Sequence, residues 1–210
     1  MDKAKEEKLM KYVNQIRSIL REDPNNSVAY YNLACVYIGQ GMFDEAEELL
    51  KRSIQCDPYL AEAYVQLGGL AMRKGDYFTC LSYNKRASEI RPNFAIPYGN
   101  MGFVYLQLGK LDEAIESLKR ALQLDPRFIQ ARTNLANAYL MKGEIEKSIE
   151  ESEMVIRREP LFGPAYNTLG LAYMELGEYE KAYESFKKAE ECGYEVPKNL
   201  MEEAKEKMVN

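Results

Sequence analysis

Gly41, Gly75, Gly109, Gly143 and Gly177 advance by 34 residues without drift, and Pro24, Pro58, Pro92, Pro126 and Pro160 do the same at another phase. Five of thirteen glycines and five of eight prolines share a phase, so one structural unit is copied along the chain. No other feature restricts the possible folds as strongly. A repeat this short cannot enclose a core of its own and must be completed by its neighbours.

The stretch from Ala95 to Phe128 shows the unit most clearly. Tyr98, Met101, Gly102, Tyr105 and Leu108 fall at helical spacing, the stripe of a helix with one buried face. Gly109 follows the stripe and can adopt the left-handed conformation that ends a helix, and Asp112 is placed to cap the next one. The second helix buries Ala114, Ile115, Leu118, Ala121 and Leu122. Pro126 biases Asp125 away from the helical region and closes the unit.

The columns made by superposing the units carry a resemblance. Tyr30, Tyr64, Tyr98, Arg132 and Tyr166 share one column, and Leu33, Leu67, Met101, Leu135 and Leu169 follow three residues later. Ala34, Gly68, Gly102, Ala136 and Gly170 form a small column, followed by Tyr37, Ala71, Tyr105, Tyr139 and Tyr173. In the second helix the small positions are Ala46, Cys80, Ala114, Ser148 and Ala182. This pattern resembles the tetratricopeptide repeat (TPR) family. The resemblance implies an all-α fold, a right-handed superhelical α-solenoid of stacked antiparallel helix pairs. Five repeats are expected at 27–60, 61–94, 95–128, 129–162 and 163–196, after an N-terminal half repeat in 1–26 and before a solvating helix in 197–210.

Both ends read as covers for the stack. Leu9, Tyr12, Val13, Ile16, Ile19 and Leu20 form an amphipathic helix at the phase of a second helix. After Cys192 the period breaks, and Asn199 with Glu202 suggests a capping box for a helix with the stripe Leu200, Met201, Ala204 and Met208. Three internal departures mark weaker packing: Arg132 in the aromatic column, Ala71 in the following tyrosine column, and Asn84 and Ser152 where Leu50, Leu118 and Phe186 stand. Arg132 is expected to lay its stem on the core with its guanidinium in water, or to serve a partner.

Composition excludes several functions. The chain has no histidine, which removes His-assisted nucleophilic catalysis and His-ligated metal sites. Cys35, Cys56, Cys80 and Cys192 lack metal or redox spacing and read as buried or semi-buried thiols at helix positions in a reducing compartment. With 33 acids interleaved among 28 bases, no basic face for nucleic acid is expected. The opening MDKAKEEK lacks an apolar run behind it and does not read as a secretory signal, and no stretch is long and apolar enough to span a membrane. A cytoplasmic protein without cofactor, metal or catalytic activity is the expectation.

The resemblance places first helices on the concave side, where residues not used for packing meet a partner. The sixth positions read Asn32, Gln66, Asn100, Asn134 and Thr168. A side-chain amide both donates and accepts, so it can match an extended backbone whatever its side chains. The arrangement is similar to the asparagine ladder in the TPR superhelix of O-linked N-acetylglucosamine transferase. The same amides could instead solvate the groove or bond to a neighbouring helix. Tyr31, Phe103, Asn137 and Asn167 join them as candidate peptide contacts. Another binding mode known for the family, a clamp of Lys and Arg for a terminal carboxylate, is disfavoured by Val28, Glu62, Ile96, Gln130 and Pro164 at the second positions. The sequence therefore points to an adaptor that binds an extended segment of a partner protein. The alternative is a scaffold that assembles with itself as a homo-oligomer, through its ends or its C-terminal helix.

Overall fold

The structure, a computed structural model, describes residues 3–209. Met1, Asp2 and Asn210, at the outer ends of the expected half repeat and solvating helix, lie outside the described residues. Twelve helices run through the described residues: α1 (Lys3–Glu22), α2 (Ser27–Gly39), α3 (Phe43–Cys56), α4 (Ala61–Arg73), α5 (Tyr77–Ile90), α6 (Ala95–Gln107), α7 (Leu111–Leu124), α8 (Ile129–Lys142), α9 (Ile145–Arg158), α10 (Gly163–Glu175), α11 (Tyr179–Glu191) and α12 (Lys198–Val209). The chain falls into two compact units, residues 1–100 and 101–210, divided within α6.

The periodic glycines act as read from the sequence. Gly41, Gly75, Gly109, Gly143 and Gly177 hold φ between +69° and +79°, the left-handed region in which a side chain is strained. This conformation lets Gly109 N donate to Leu106 O at 3.0 Å and Lys110 N to Tyr105 O at 2.9 Å, two nested bonds that satisfy the last carbonyls of α6. With only three residues between α6 and α7, the two helices must run antiparallel.

Asp112 does not cap α7, contrary to the expectation. The cap position is Lys110, which makes no side-chain cap bond, while Asp112 lies inside the first turn and pairs with Lys142 at 2.6 Å. Side-chain caps are made elsewhere, by Asn26 to Ala29 N at 2.9 Å and by Asp76 to Thr79 N at 3.0 Å. The residues before the prolines are extended as expected, with φ of −137° at Asp57 and −134° at Asp125.

The aromatic column also does something its apolar reading missed. Tyr30, Tyr98 and Tyr166 each donate a hydroxyl hydrogen bond to the carbonyl of the proline six residues earlier, at 3.1, 3.4 and 3.2 Å. Arg132 makes the same link to Pro126 O at 3.4 Å, and its guanidinium also holds Glu151 at 2.6 Å. The guanidinium, expected in water, is thus engaged within the chain, and the Arg132 side chain is only 16% exposed.

In the first unit, Val13 and Ile16 of α1 pack with Ala29 and Leu33 of α2, and Ala34, Ala46, Leu50, Ala63, Leu67 and Leu70 continue the core. In the second unit, Ala182, Phe186 and Ala189 of α11 pack with Val196 and with Ala204 of α12. The stripe on α12 is thus laid against α11. Asn199 lies inside this helix, which begins at Lys198, so it is not the expected cap.

Two columns on the second helices are fully buried in every hairpin: Ala46, Cys80, Ala114, Ser148 and Ala182, and, seven residues on, Ser53, Ala87, Ala121, Val155 and Ala189. Small residues on the first helices let the partner helix come close. A Cβ at Gly102 would lie 2.5 Å from Leu118, and one at Gly170 would lie 2.5 Å from the Phe186 ring. In the fourth hairpin the hydroxyls of Ser148 and Ser152 are buried without a hydrogen-bond partner among the described residues. Replacing Ser148 by Ala, the residue at this position in three other hairpins, is expected to stabilise the protein by about 1 kcal/mol by removing that desolvated hydroxyl. Thermal unfolding should show a rise of about 2–4 °C for a chain of this size, and a fall would refute this account.

Candidate functional site

In the second unit, three successive first helices contribute to one cavity. Phe103, Leu106 and Gln107 come from α6, Asn134, Asn137, Leu140 and Met141 from α8, and Leu171 from α10, around a volume of about 460 Å³. Helical spacing explains the grouping: residues three, four and seven apart on one helix point the same way. Their opposite faces hold the core, where Val104, Leu135, Ala136 and Ala172 are buried. The walls combine apolar side chains with three amides and carry no charged group.

Asn134, Asn137 and Phe103 are therefore brought together. Asn137 is partly engaged, because Thr168 lies with its Oγ1 2.7 Å from Asn137 Oδ1 and 3.0 Å from Pro164 O. Asn167 has a buried Oδ1 without a hydrogen-bond partner among the described residues and does not line the cavity. Leu106, Gln107, Leu140 and Met141 complete the walls three and four residues after the candidates Phe103 and Asn137, on the same helix faces.

The amides of the first unit face different partners. Asn100 Nδ2 donates to Asn84 Oδ1 at 2.9 Å, and Asn84 Nδ2 in turn donates to Cys80 O at 2.9 Å. Asn84 is fully buried in a column held elsewhere by Leu50, Leu118, Ser152 and Phe186, and its carbonyl oxygen needs a donor. Asn100 supplies it through Nδ2, so this half-buried side chain ties α6 to α5. Burial pushes the neighbouring Cys80 thiol up to about 11.

Tyr31 and Gln66 meet each other. Burial, reinforced by a bond with Cys35, pushes the Tyr31 phenol up to about 12, while a hydrogen bond with Gln66 acts in the opposite direction. Burial would also raise the nearby Glu62 carboxyl, but Arg91 at 2.7 Å and a backbone hydrogen bond outweigh it and hold the group below its ordinary range. Asn32 stays half-buried on α2. Among the described residues no three Cys, Asp or Glu side chains converge as metal ligands. Nor is any helix among them long and apolar enough to cross a membrane.

A stack of short antiparallel hairpins, with first helices lining the cavity of the second unit, defines a helical-repeat protein. The sequence agrees: the family model for the tetratricopeptide repeat matches residues 27–60 and 163–191, and a further TPR repeat model matches residues 104–143. The chain belongs to the tetratricopeptide repeat family. Among solved structures it is similar to MamA, with 29% identity, a TM-score of 0.68 and coverage of 77% of this chain and 94% of that one. It is also similar in fold to YrrB, described as "a TPR protein with an unusual peptide-binding site", with 20% identity, a TM-score of 0.73 and coverage of 91% and 97%. PilW, described as a widely conserved type IV pilus biogenesis factor, shares the fold with 19% identity, a TM-score of 0.78 and coverage of 88% and 86%. No curated protein matches the chain in sequence.

The Asn84–Asn100 pair gives a direct test of which amides are structural. Asn100→Ala should strand the buried Asn84 oxygen and cost about 1–3 kcal/mol, seen as a lowered melting temperature. Asn84→Leu recreates the Leu118 packing against the small Gly68 and should be tolerated at least as well as wild type. The reverse order of stabilities would show that the amide pair does not hold these helices together.

Proposed function

We propose that the chain is a protein-interaction adaptor, and that its second unit binds an extended, uncharged segment of a partner protein across α6, α8 and α10. The observation that carries this reading is the cavity that joins Phe103, Leu140 and Leu171 to the amides of Gln107, Asn134 and Asn137. Its volume lies in the range of ligand-binding clefts, about 300–1,000 Å³. The apolar walls suit one or two aliphatic side chains, while the amides supply donors and acceptors to a peptide backbone. A charged side chain or a terminal carboxylate would lose water there without meeting an opposite charge, and that is unfavourable. The peptide-binding site in the description of YrrB, a protein of the same fold, supports a peptide as the ligand class. The role is binding without catalysis. The alternative of self-assembly through α12 is weakened, because Ala204 on its stripe is already packed with Phe186 of α11.

Peptides selected from a random library on the wild-type protein should be aliphatic and low in charge. Their affinity should fall about tenfold for Asn134→Ala, the loss of roughly one well-placed hydrogen bond. Isothermal titration measures the affinity, and melting curves establish that Asn134→Ala remains folded. Equal affinity of the two proteins for every selected peptide would remove the cavity as the binding site.

A further inference from the structure

α1 has a second face that its packing on α2 does not use. Lys5, Lys8, Tyr12, Gln15, Ile19 and Glu22 are all exposed and are separated by three, four, three, four and three residues. That spacing is the seam of a helix that pairs with another helix over its whole length. Tyr12 and Ile19 fall at the phase of the two small columns on the second helices, which are fully buried in each of the five hairpins. On α1 they are large and remain 44% and 45% exposed.

We propose that this seam is a self-association surface, in which α1 of one copy of the chain pairs antiparallel with α1 of a second copy about a two-fold axis. The order of charges along the seam selects the partner and its direction. Lys5 and Lys8 stand at its N-terminal end and Glu22 at its C-terminal end. Antiparallel pairing sets Lys5 against Glu22 of the second copy and lays the Lys8 stem over Ile19, with Tyr12 beside Gln15. Parallel pairing would instead bring Lys5 to Lys5 and Glu22 to Glu22, like charges that repel. Within α1, Lys5 in the first turn and Glu22 in the last each meet the like-signed end of the helix dipole, whereas Glu6 and Arg21 meet the opposite one. An antiparallel neighbour brings Lys5 and Glu22 to the dipole end of opposite sign. The interface is isologous, as a two-fold dimer requires, and its modest length makes it a weak, reversible one. It is independent of the cavity in the second unit.

Sedimentation velocity on the full chain, over about a hundredfold range of concentration, tests the proposal. Wild type should move from monomer towards dimer as concentration rises. Ile19→Lys, at an exposed position and expected to leave the circular dichroism unchanged, should weaken the dimer at least about tenfold. Lys5→Glu should weaken it as well, and Lys5→Glu combined with Glu22→Lys should restore it, because the swapped charges face each other again only when the helices run antiparallel. A monomer at every concentration, an association insensitive to Ile19→Lys, or a double variant no better than Lys5→Glu alone would each overturn the proposal.

Discussion

The close approach of the two helices in each hairpin is the constraint on which the other features rest. It is set by a side chain that is missing: at Gly102 and Gly170 a single added carbon would intrude on Leu118 and on the Phe186 ring. The large residue on the second helix fills the space that the glycine leaves open, and dispersion contacts and lost apolar hydration together reward the fit. Where the second-helix residue is small, as at Ser152, the facing residue is Ala136 rather than glycine. The exchange is not strict, because Leu50 also faces an alanine, Ala34, and both are fully buried. The remaining first-helix face can carry polar side chains.

Those polar side chains stand sixteen positions after a core residue of the preceding hairpin and meet different partners. Asn84 precedes Asn100 and binds it. Leu118 precedes Asn134 and offers no hydrogen bond, and Asn134 lines the cavity instead. Leu50 precedes Gln66 and is equally silent, and Gln66 bonds to Tyr31. Ser152 precedes Thr168, yet Ser152 keeps an unpartnered hydroxyl while Thr168 bonds to Asn137 and Pro164. In the second hairpin, a single core exchange, Asn84 for leucine, is thus what ties the amide of Asn100 to the neighbouring helix.

Helix positions were legible in the sequence because glycine at positive φ and the restriction before proline are local properties of the backbone. Local rules failed where the deciding group lay in another helix. Asp112 carries the signature of a cap but meets Lys142, thirty residues on, and Arg132 has the form of a snorkelling base until Glu151 is placed beside it. The ladder of amides was drawn from one column, and only the neighbouring column separates Asn100 from Asn134. Of the candidate contacts, Phe103, Asn134 and Asn137 share a cavity, whereas Tyr31 and Gln66 bond to each other. The period reads as broken after Cys192, yet α12 starts only one residue later than a further 34-residue step would put it, and Leu200 and Ala204 stand one such step after Tyr166 and Gly170.

The hydroxyl bonds from Tyr30, Tyr98 and Tyr166 to the prolines before them give the repeat a gauge of length. Each closes a loop whose span fixes how the following helix is rotated when it starts. Adding or deleting one residue inside that loop would break the bond and turn every side chain of the helix by about 100°, carrying its apolar stripe off the core. At these three junctions an insertion or deletion is therefore expected to be far more disruptive than an exchange of one residue for another.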